Sequence, residues 1–345
     1  MTPNTKWASW SLSRQAVAGA VAICGALGLS AVPALSQDYV ARLSMHWSPS
    51  HHSAIHAQMF ADEVNRRAEG RLRIDVFPSG QLFGIRDQLG AVTSGAVEIG
   101  GIVPIVSFAP INENYNVTAY PGLFGSYEQQ RAFFMETDVG RAIWDDIATR
   151  SNTTLLMYNP VGPVMAFSGA NELSSVEAME GLSARALIRS ERPLWEALGA
   201  NTVSLPTGEV YTALQTGMIN ALNSPPGSIA AYSWWEYLSF GQLPYQYFSD
   251  AYMVANTRWF EGLPEDLQQI LIDVGQEMGD LSTGTIMEDG EATLAAFQER
   301  GGVVTVLEGA ALAELQNLIQ SEVAPAMAEL MDPETLEAAQ AFVAE

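Results

Sequence analysis

Twice along this chain, a short helical stretch ends on a glycine and runs into a nearly continuous apolar strand. The first copy is Ile85–Ser94, then Gly95, then Ala96–Val103 (AVEIGGIV). In the second, Thr207 caps a helix Gly208–Thr216, Gly217 ends it, and Met218–Leu222 (MINAL) forms the strand. Glycine closes a helix readily because it enters the left-handed region without penalty. A strand apolar on both faces needs cover on both faces, which is the environment of a parallel sheet flanked by helices. One such unit in each half predicts two similar α/β lobes.

The remaining segments fit that plan. Tyr39–Met45, Leu72–Phe77, Thr154–Tyr158, Val164–Phe167, Ser183–Ile188, Tyr252–Asn256 and Val303–Leu307 read as strands. His46–Ser53 is a polar loop. Ala54–Glu69 has helical spacing, with Ile55, Met59, Phe60 and Val64 on one face and Gly70 as its stop. Arg131–Thr149 reads as one helix, Glu191–Leu198 as a helix capped by Ser190, and Leu263-Pro264 opens a long helical region reaching about Arg300.

The first 36 residues read as a leader. Lys6 and Arg14 supply positive charge, no acidic residue precedes Asp38, and an apolar run Ala16–Leu35 ends in Ala34-Leu35-Ser36, a small-x-small pattern suited to cleavage before Gln37. A retained membrane anchor is the competing reading, since the run is long enough to span a bilayer. Removal of the leader takes with it the only Cys (Cys24) and the only Lys. Of 16 basic residues, the 14 that remain are all Arg, against 39 acidic ones, a net charge of −25. Such a surface excludes nucleic acid, which requires basic patches, and argues against docking on an anionic membrane. The expected compartment is an oxidising one reached by secretion, used without disulfides.

The inventory removes several enzyme classes. Without Lys there is no phosphate-loop lysine and no Schiff base. Without Cys there is no thiol nucleophile or thiolate metal site. All four histidines (His46, His51, His52 and His56) fall in one short stretch, so a Ser-His-Asp triad would have to draw on that loop. His52 and His56 have the spacing to share a metal on a helix face, but no acidic residue between Asp38 and Asp62 completes such a site. Neither a metal nor a cofactor is expected.

Six stretches, in order, carry a resemblance. They are F-P-S-G-Q-L-F-G (Phe77–Gly84), L-G-A-V-T-S-G-A-V-E-I (Leu89–Ile99), Y-P-G-L-F (Tyr120–Phe124), G-L-S-A-R (Gly181–Arg185), L-G-A-N-T-V-S-L-P-T-G-E-V-Y-T-A-L-Q-T-G-M-I-N (Leu198–Asn220) and V-A-N-T-R-W-F-E-G-L-P (Val254–Pro264). Over nearly its whole mature length the chain resembles the DctP-like periplasmic substrate-binding proteins of tripartite ATP-independent (TRAP) transporters. That resemblance implies a two-lobed, type II-like periplasmic-binding-protein fold, each lobe a mostly parallel sheet flanked by helices, with a long hinge-crossing helix. It also implies lobes of residues 37–162 plus 251–290 and 163–250 plus 291–345, and a monomer that hands a small organic acid to a large and a small permease subunit. Ser183 stands where the family has Lys, Asn220 where it has Asp, and Asn223-Ser224-Pro225 where some members have E-N-P. A second Arg found in some members near Val164–Phe167 is missing. These departures bear on how the ligand is held.

The resemblance assigns Arg185 to a ligand carboxylate. Its chemistry suits the task, because a guanidinium offers a planar fork and stays charged at any working pH; a surface ion pair is the plain alternative. Asn223 and Ser224 follow a buried strand and can donate to ligand oxygens or form a turn into Pro225. Trp47 and His52 are candidates on the loop after the first strand. Tyr211 lies in the E-V-Y motif, and Phe83, Phe167 and Trp234 are candidate pocket walls. Most other aromatics between Tyr232 and Tyr252 read as core and hinge. Two rival functions remain open: an extracytoplasmic ligand sensor feeding a signalling receptor, and a secreted hydrolase using Asp/Glu pairs.

Overall fold

Two mixed sheets divide the chain between them. The structure is a computed structural model that describes residues 39–344; the expected leader and its cleavage point lie outside the described residues. The strands of the first half are β1 (Tyr39–Ser44), β2 (Leu72–Phe77), β3 (Ile99–Ile102) and β4 (Thr153–Tyr158). They are followed by β5 (Gly162–Ser168), β6 (Ser183–Arg185), β7 (Asn201–Val203), β8 (Ala221–Ser224), β9 (Phe240–Ser249), β10 (Tyr252–Asn256) and β11 (Val303–Val306). The first sheet has the order β2-β1-β3-β10-β4 and the second β11-β9-β5-β8-β6-β7.

Each sheet is parallel except for one strand. In the first, β10 runs against both β3 and β4. In the second, β5 runs against both β8 and β9. These two strands are the ones reached by crossing from the other sheet: β4 passes into β5 through residues 159–161, and β9 into β10 through Asp250-Ala251. The long helix Glu265–Glu299 makes the third crossing. Its early residues Leu267, Leu271 and Val274 are buried near β4, and its late residues Leu294 and Phe297 belong to the apolar core of the second sheet with Phe167 and Trp234. The two-lobed architecture expected from the sequence is therefore present. The last helix, Pro333–Val343, packs on helices Tyr127–Glu136 and Asp138–Ser151, with Phe342 edge-on to Phe133.

The two helix–glycine–strand units form as expected at their glycines: Gly95 (φ +75°) and Gly217 (φ +73°) are both left-handed. Both strands start later than expected, however, at Ile99 and at Ala221. Met218 is exposed and Asn220 spends its side-chain carbonyl on the Ser183 N–H (2.8 Å).

Other local expectations need correction. Arg131–Thr149 is two helices, Tyr127–Glu136 and Asp138–Ser151. Thr137 breaks it by turning extended and accepting the Gly140 N–H on its hydroxyl (2.9 Å), an N-cap that competes with helix continuation. Ser190 does not cap the next helix; its hydroxyl is buried without a partner, and the helix starts at Arg192-Pro193. The strand expected over Ser183–Ile188 ends at Arg185. Strand β9 has no counterpart in the sequence reading, because Gly241 and Pro244 argue against a central strand. Pro244 is accommodated where pairing to β11 has ended and the register to β5 slips.

Candidate functional site

In open α/β sheets, ligands meet the carboxyl ends of the strands, where side chains are released from the ladder. Here those ends converge from both sheets. His46 and Trp47 follow β1, Val103 follows β3, Arg185 closes β6, Ser224 closes β8 and Ser249 closes β9. Between them lies a cavity of about 60 Å³ lined by residues of both lobes.

Arg185 is the cation of this cavity and is 4% exposed. Its Nε donates to the Leu205 carbonyl (3.1 Å) and one Nη to the Thr207 hydroxyl (3.2 Å). The guanidinium carbon lies 6.0 Å from the centroid of the Trp234 ring, on whose face it is held by the ring quadrupole. Burial pulls its pKa down from the ordinary value, opposed by the negative charge of Glu191. Among the described residues no carboxylate lies within ion-pairing distance of it. Its remaining N–H groups are free to serve a guest.

Glu191 is the acid of the same cavity. The Tyr247 hydroxyl donates to one carboxylate oxygen (2.5 Å) and the Leu187 N–H to the other (2.7 Å). Burial raises its pKa, and Arg185 lowers it again. His46 is neutral: burial, aided by Arg185, brings its pKa down to about 3. Three buried polar atoms of lining residues, His46 Nδ1, Asn223 Oδ1 and the Tyr232 hydroxyl, have no hydrogen-bond partner among the described residues, which leaves them able to bond a guest. The Tyr232 hydroxyl lies near the Ser48 N–H without completing a hydrogen bond, and its ring stacks on Trp234 with centroids 5.0 Å apart.

Of the residues singled out from the sequence, the cavity brings together Arg185, Asn223, Ser224, Trp47 and Trp234. The Ser224 hydroxyl is already committed to the Pro225 carbonyl (3.1 Å). The other four lie elsewhere. Phe167 is fully buried in the second lobe, edge-on to Phe297. Phe83 packs against the first-lobe core. Tyr211 is half-buried, and its hydroxyl donates to Glu236 (2.8 Å). His52 donates through Nε2 to the Pro160 carbonyl (2.9 Å) on the segment joining the sheets.

His52 is one part of a histidine-rich hinge. His56 Nδ1 contacts the Ser282 hydroxyl (3.0 Å), which itself donates to Asn159 Oδ1 (2.8 Å), so the imidazole is the donor of that pair. Asn159 in turn donates to the Ser53 carbonyl (2.9 Å). One helix, one crossing segment and the long helix are thereby tied together. His51 caps helix His52–Arg67 through Nδ1, which leaves Nε2–H to donate to Ser228 across the cleft (3.0 Å). Among the described residues no group of His, Cys, Asp and Glu is placed to hold a metal.

Sequence reasoning missed His46, Glu191, Thr207, Tyr232 and Tyr247. Two signals were available: the aromatic run containing Tyr232 and Tyr247, and the acid six positions beyond Arg185. Nothing local separated either from core or from a helix start.

Outside Leu187 lies a wider crevice of about 530 Å³, lined among others by Arg86, Arg189 and Arg192. Two of its cations are already engaged: Arg192 pairs with Glu196 (2.9 Å) and Arg86 donates to Ser204 across the lobes (2.9 Å). The smaller, buried cavity is the better candidate because only there is the guanidinium desolvated.

Comparison with known proteins shows the family and the fold. A family model described as bacterial extracellular solute-binding protein, family 7, matches residues 43–330. The C4-dicarboxylate-binding periplasmic protein DctP of Rhodobacter capsulatus is 26% identical over 94% of this chain and 98% of its own. Among solved structures, the sugar acid-binding protein DctPAm of Advenella mimigardefordensis, in complex with galactonate, superposes with a TM-score of 0.80 at 17% identity, covering 88% of this chain and 97% of that one. DctP7 of Bordetella pertussis, an extracytoplasmic solute receptor binding pyroglutamic acid, superposes with a TM-score of 0.79 at 19% identity over 88% and 99% of the two chains.

Proposed function

The chain belongs to family 7 of the bacterial extracellular solute-binding proteins, and on that premise we propose that it captures a small organic acid between its lobes, with Arg185 gripping the carboxylate. The family is one of binding receptors, and no bond of the guest is made or broken. The loaded, closed form then docks on the large and small membrane subunits of a TRAP permease. We place it in the periplasm behind a leader, residues 1–36, removed before Gln37. The lobes that close are those built on the two sheets, residues 37–162 plus 251–290 and 163–250 plus 291–345, with the last helix reaching back over the first lobe.

One observation carries this reading. A fully desolvated guanidinium with no anionic partner at hydrogen-bonding distance sits where two lobes meet. Glu191 balances its charge from within the cavity without bonding to it, so unpaired guanidinium donors remain, and a ligand carboxylate meets them with bidentate geometry. Asn223 and the Tyr232 hydroxyl have unspent hydrogen-bonding capacity beside it. Trp47 and Trp234 wall the cavity from opposite lobes. A guest that touches both lobes favours closure by its differential affinity for the closed form, and by no more than that. The named relatives bind C4-dicarboxylates, galactonate and pyroglutamic acid, all of which carry a carboxylate.

The test is a thermal-shift screen of a carboxylate library on the mature protein, followed by calorimetry and mass spectrometry of the released guest. The expected result is an acid that raises the melting temperature, is recovered unchanged, and has no effect on Arg185→Ala. A full shift in that variant, or turnover of the guest, would overturn the proposal.

A further inference from the structure

We infer that Glu191 sets the class of acid the site accepts: a small molecule with a single carboxylate and a hydrogen-bond donor at its other end, to the exclusion of dicarboxylates. This deepens the reading above and rests on Arg185 as the carboxylate anchor.

Size is the first argument. A cavity of about 60 Å³ holds roughly four to six water-sized groups, which matches an acid of about three or four carbons. The charge balance is the second. Arg185 is the one cation lining the cavity and Glu191 the one acid, while His46 is neutral. The arrangement is balanced before any guest arrives, and a monocarboxylate adds one negative charge. A dicarboxylate adds two, and its far end has no cation to meet. Between buried groups that repulsion is poorly screened.

Glu191 is also more than a counterion. It does not pair directly with Arg185; its oxygens are oriented by Tyr247 from β9 and by the Leu187 N–H. An ionised carboxylate has about four acceptor sites, so capacity remains after those two bonds. An acceptor held rigidly beside a cavity selects a donor and rejects another acceptor, as buried polar groups do when a mismatched guest leaves them facing like charge. Hydroxyl, amide and ammonium groups share that donor chemistry, and the experiment separates them.

The probes are 3-hydroxypropionate, malonamate and β-alanine, which bear a terminal hydroxyl, amide and ammonium, against propionate, malonate and succinate. Malonamate and malonate have the same number of non-hydrogen atoms and differ in the charge of one end. Calorimetry at pH 7 is expected to show at least one donor-bearing monocarboxylate binding, with malonate at least about 100-fold weaker than malonamate and propionate about 10-fold weaker than 3-hydroxypropionate. In Glu191→Gln the malonate-to-malonamate gap is expected to narrow to less than about 10-fold. Wild-type binding of malonate or succinate as tight as malonamate overturns the inference and leaves carboxylate capture standing, as does a gap that persists in Glu191→Gln. The absence of binding by every acid of either kind overturns carboxylate capture itself. The wild-type ratio decides the matter even if the variant does not fold.

Discussion

Arg86, on the loop after β2, donates through one Nη to the Ser204 hydroxyl at 2.9 Å and to the Leu187 carbonyl at 3.3 Å, both on the other lobe. The bonds join the two lobes across the wider crevice and have to break before the lobes can separate. A hydrogen bond of this kind contributes about 0.5–1.5 kcal/mol net, more when one partner is charged. Arg86→Ala is therefore expected to raise the dissociation rate of a bound acid by about 3- to 10-fold with little change in association. Ser204→Ala should lose less, and in the double variant the two effects should not add. Stopped-flow fluorescence from Trp47 and Trp234 measures this; additive effects would show that the two residues act independently.

Removing Arg185 has consequences for folding as well as for binding. Glu191 is left buried with its nearest positive charge gone, and a buried charge that loses its compensation is strongly destabilising. Arg185→Ala is expected to lower the melting temperature at pH 7 by several degrees, and adding Glu191→Gln to recover most of that loss. Arg185→Lys keeps the charge but not the fork, and should weaken acid binding by at least about 10-fold. Calorimetric melts of the four proteins, with no ligand added, check the stability part.

Stability is expected to fall on acidification from pH 7 to pH 5. Burial holds His46 near 3 and His52 near 4, and lowers His51 and His56 as well. The unfolded chain takes up protons at these histidines as pH drops through about 6.5 while the fold refuses them. Asp250 works in the opposite sense. Burial raises it to about 6, against the donors Tyr158 and Gln130, so the fold gains a proton there between pH 6 and 4 that the unfolded chain does not hold. Glu191, also raised by burial, acts the same way. The histidines outnumber the two acids. Each net proton is worth about 1.4 kcal/mol per pH unit, and Asp250→Asn should steepen the fall below pH 6. Urea melts across the range test both statements; a flat profile would mean that the histidines are hydrated.

Gly275 lets the long helix lie against β4. A methyl group there would collide with the Leu156 carbonyl oxygen, a backbone atom that cannot rotate away. Gly275→Ala is expected to cost about 3 kcal/mol or more, although alanine is the better helix former. Gly284, on the same helix, has open space around it, so Gly284→Ala should stabilise by about 0.5–1 kcal/mol. Thermal melts of the pair separate close approach from propensity.

Much of the scaffold was legible along the chain because its causes are local. Apolar alternation placed β2 and a short apolar run placed β10 to the residue, and Leu263-Pro264 announced the long helix. The glycines at 95 and 217 closed their helices as expected. Local reasoning failed where a side chain made a distant commitment. Glu191 turned back to Leu187 and Tyr247 instead of being capped by Ser190. Strand β9 persisted through Pro244 because its neighbours do not ask that position for an N–H.

The sequence by itself determined the class of fold and the charge, and through its resemblance it pointed to Arg185 as the proposed grip. Only the tertiary structure decided what faces that guanidinium. Glu191, Tyr247, His46 and Tyr232 come from four separate segments, and whether each is core, surface or cavity wall depends on how two sheets are set against each other. Hydrophobic periodicity reports which side of its own element a residue occupies. It carries no information about which residues of the opposite lobe lie across from it, and the selectivity proposed for the site arises from that juxtaposition.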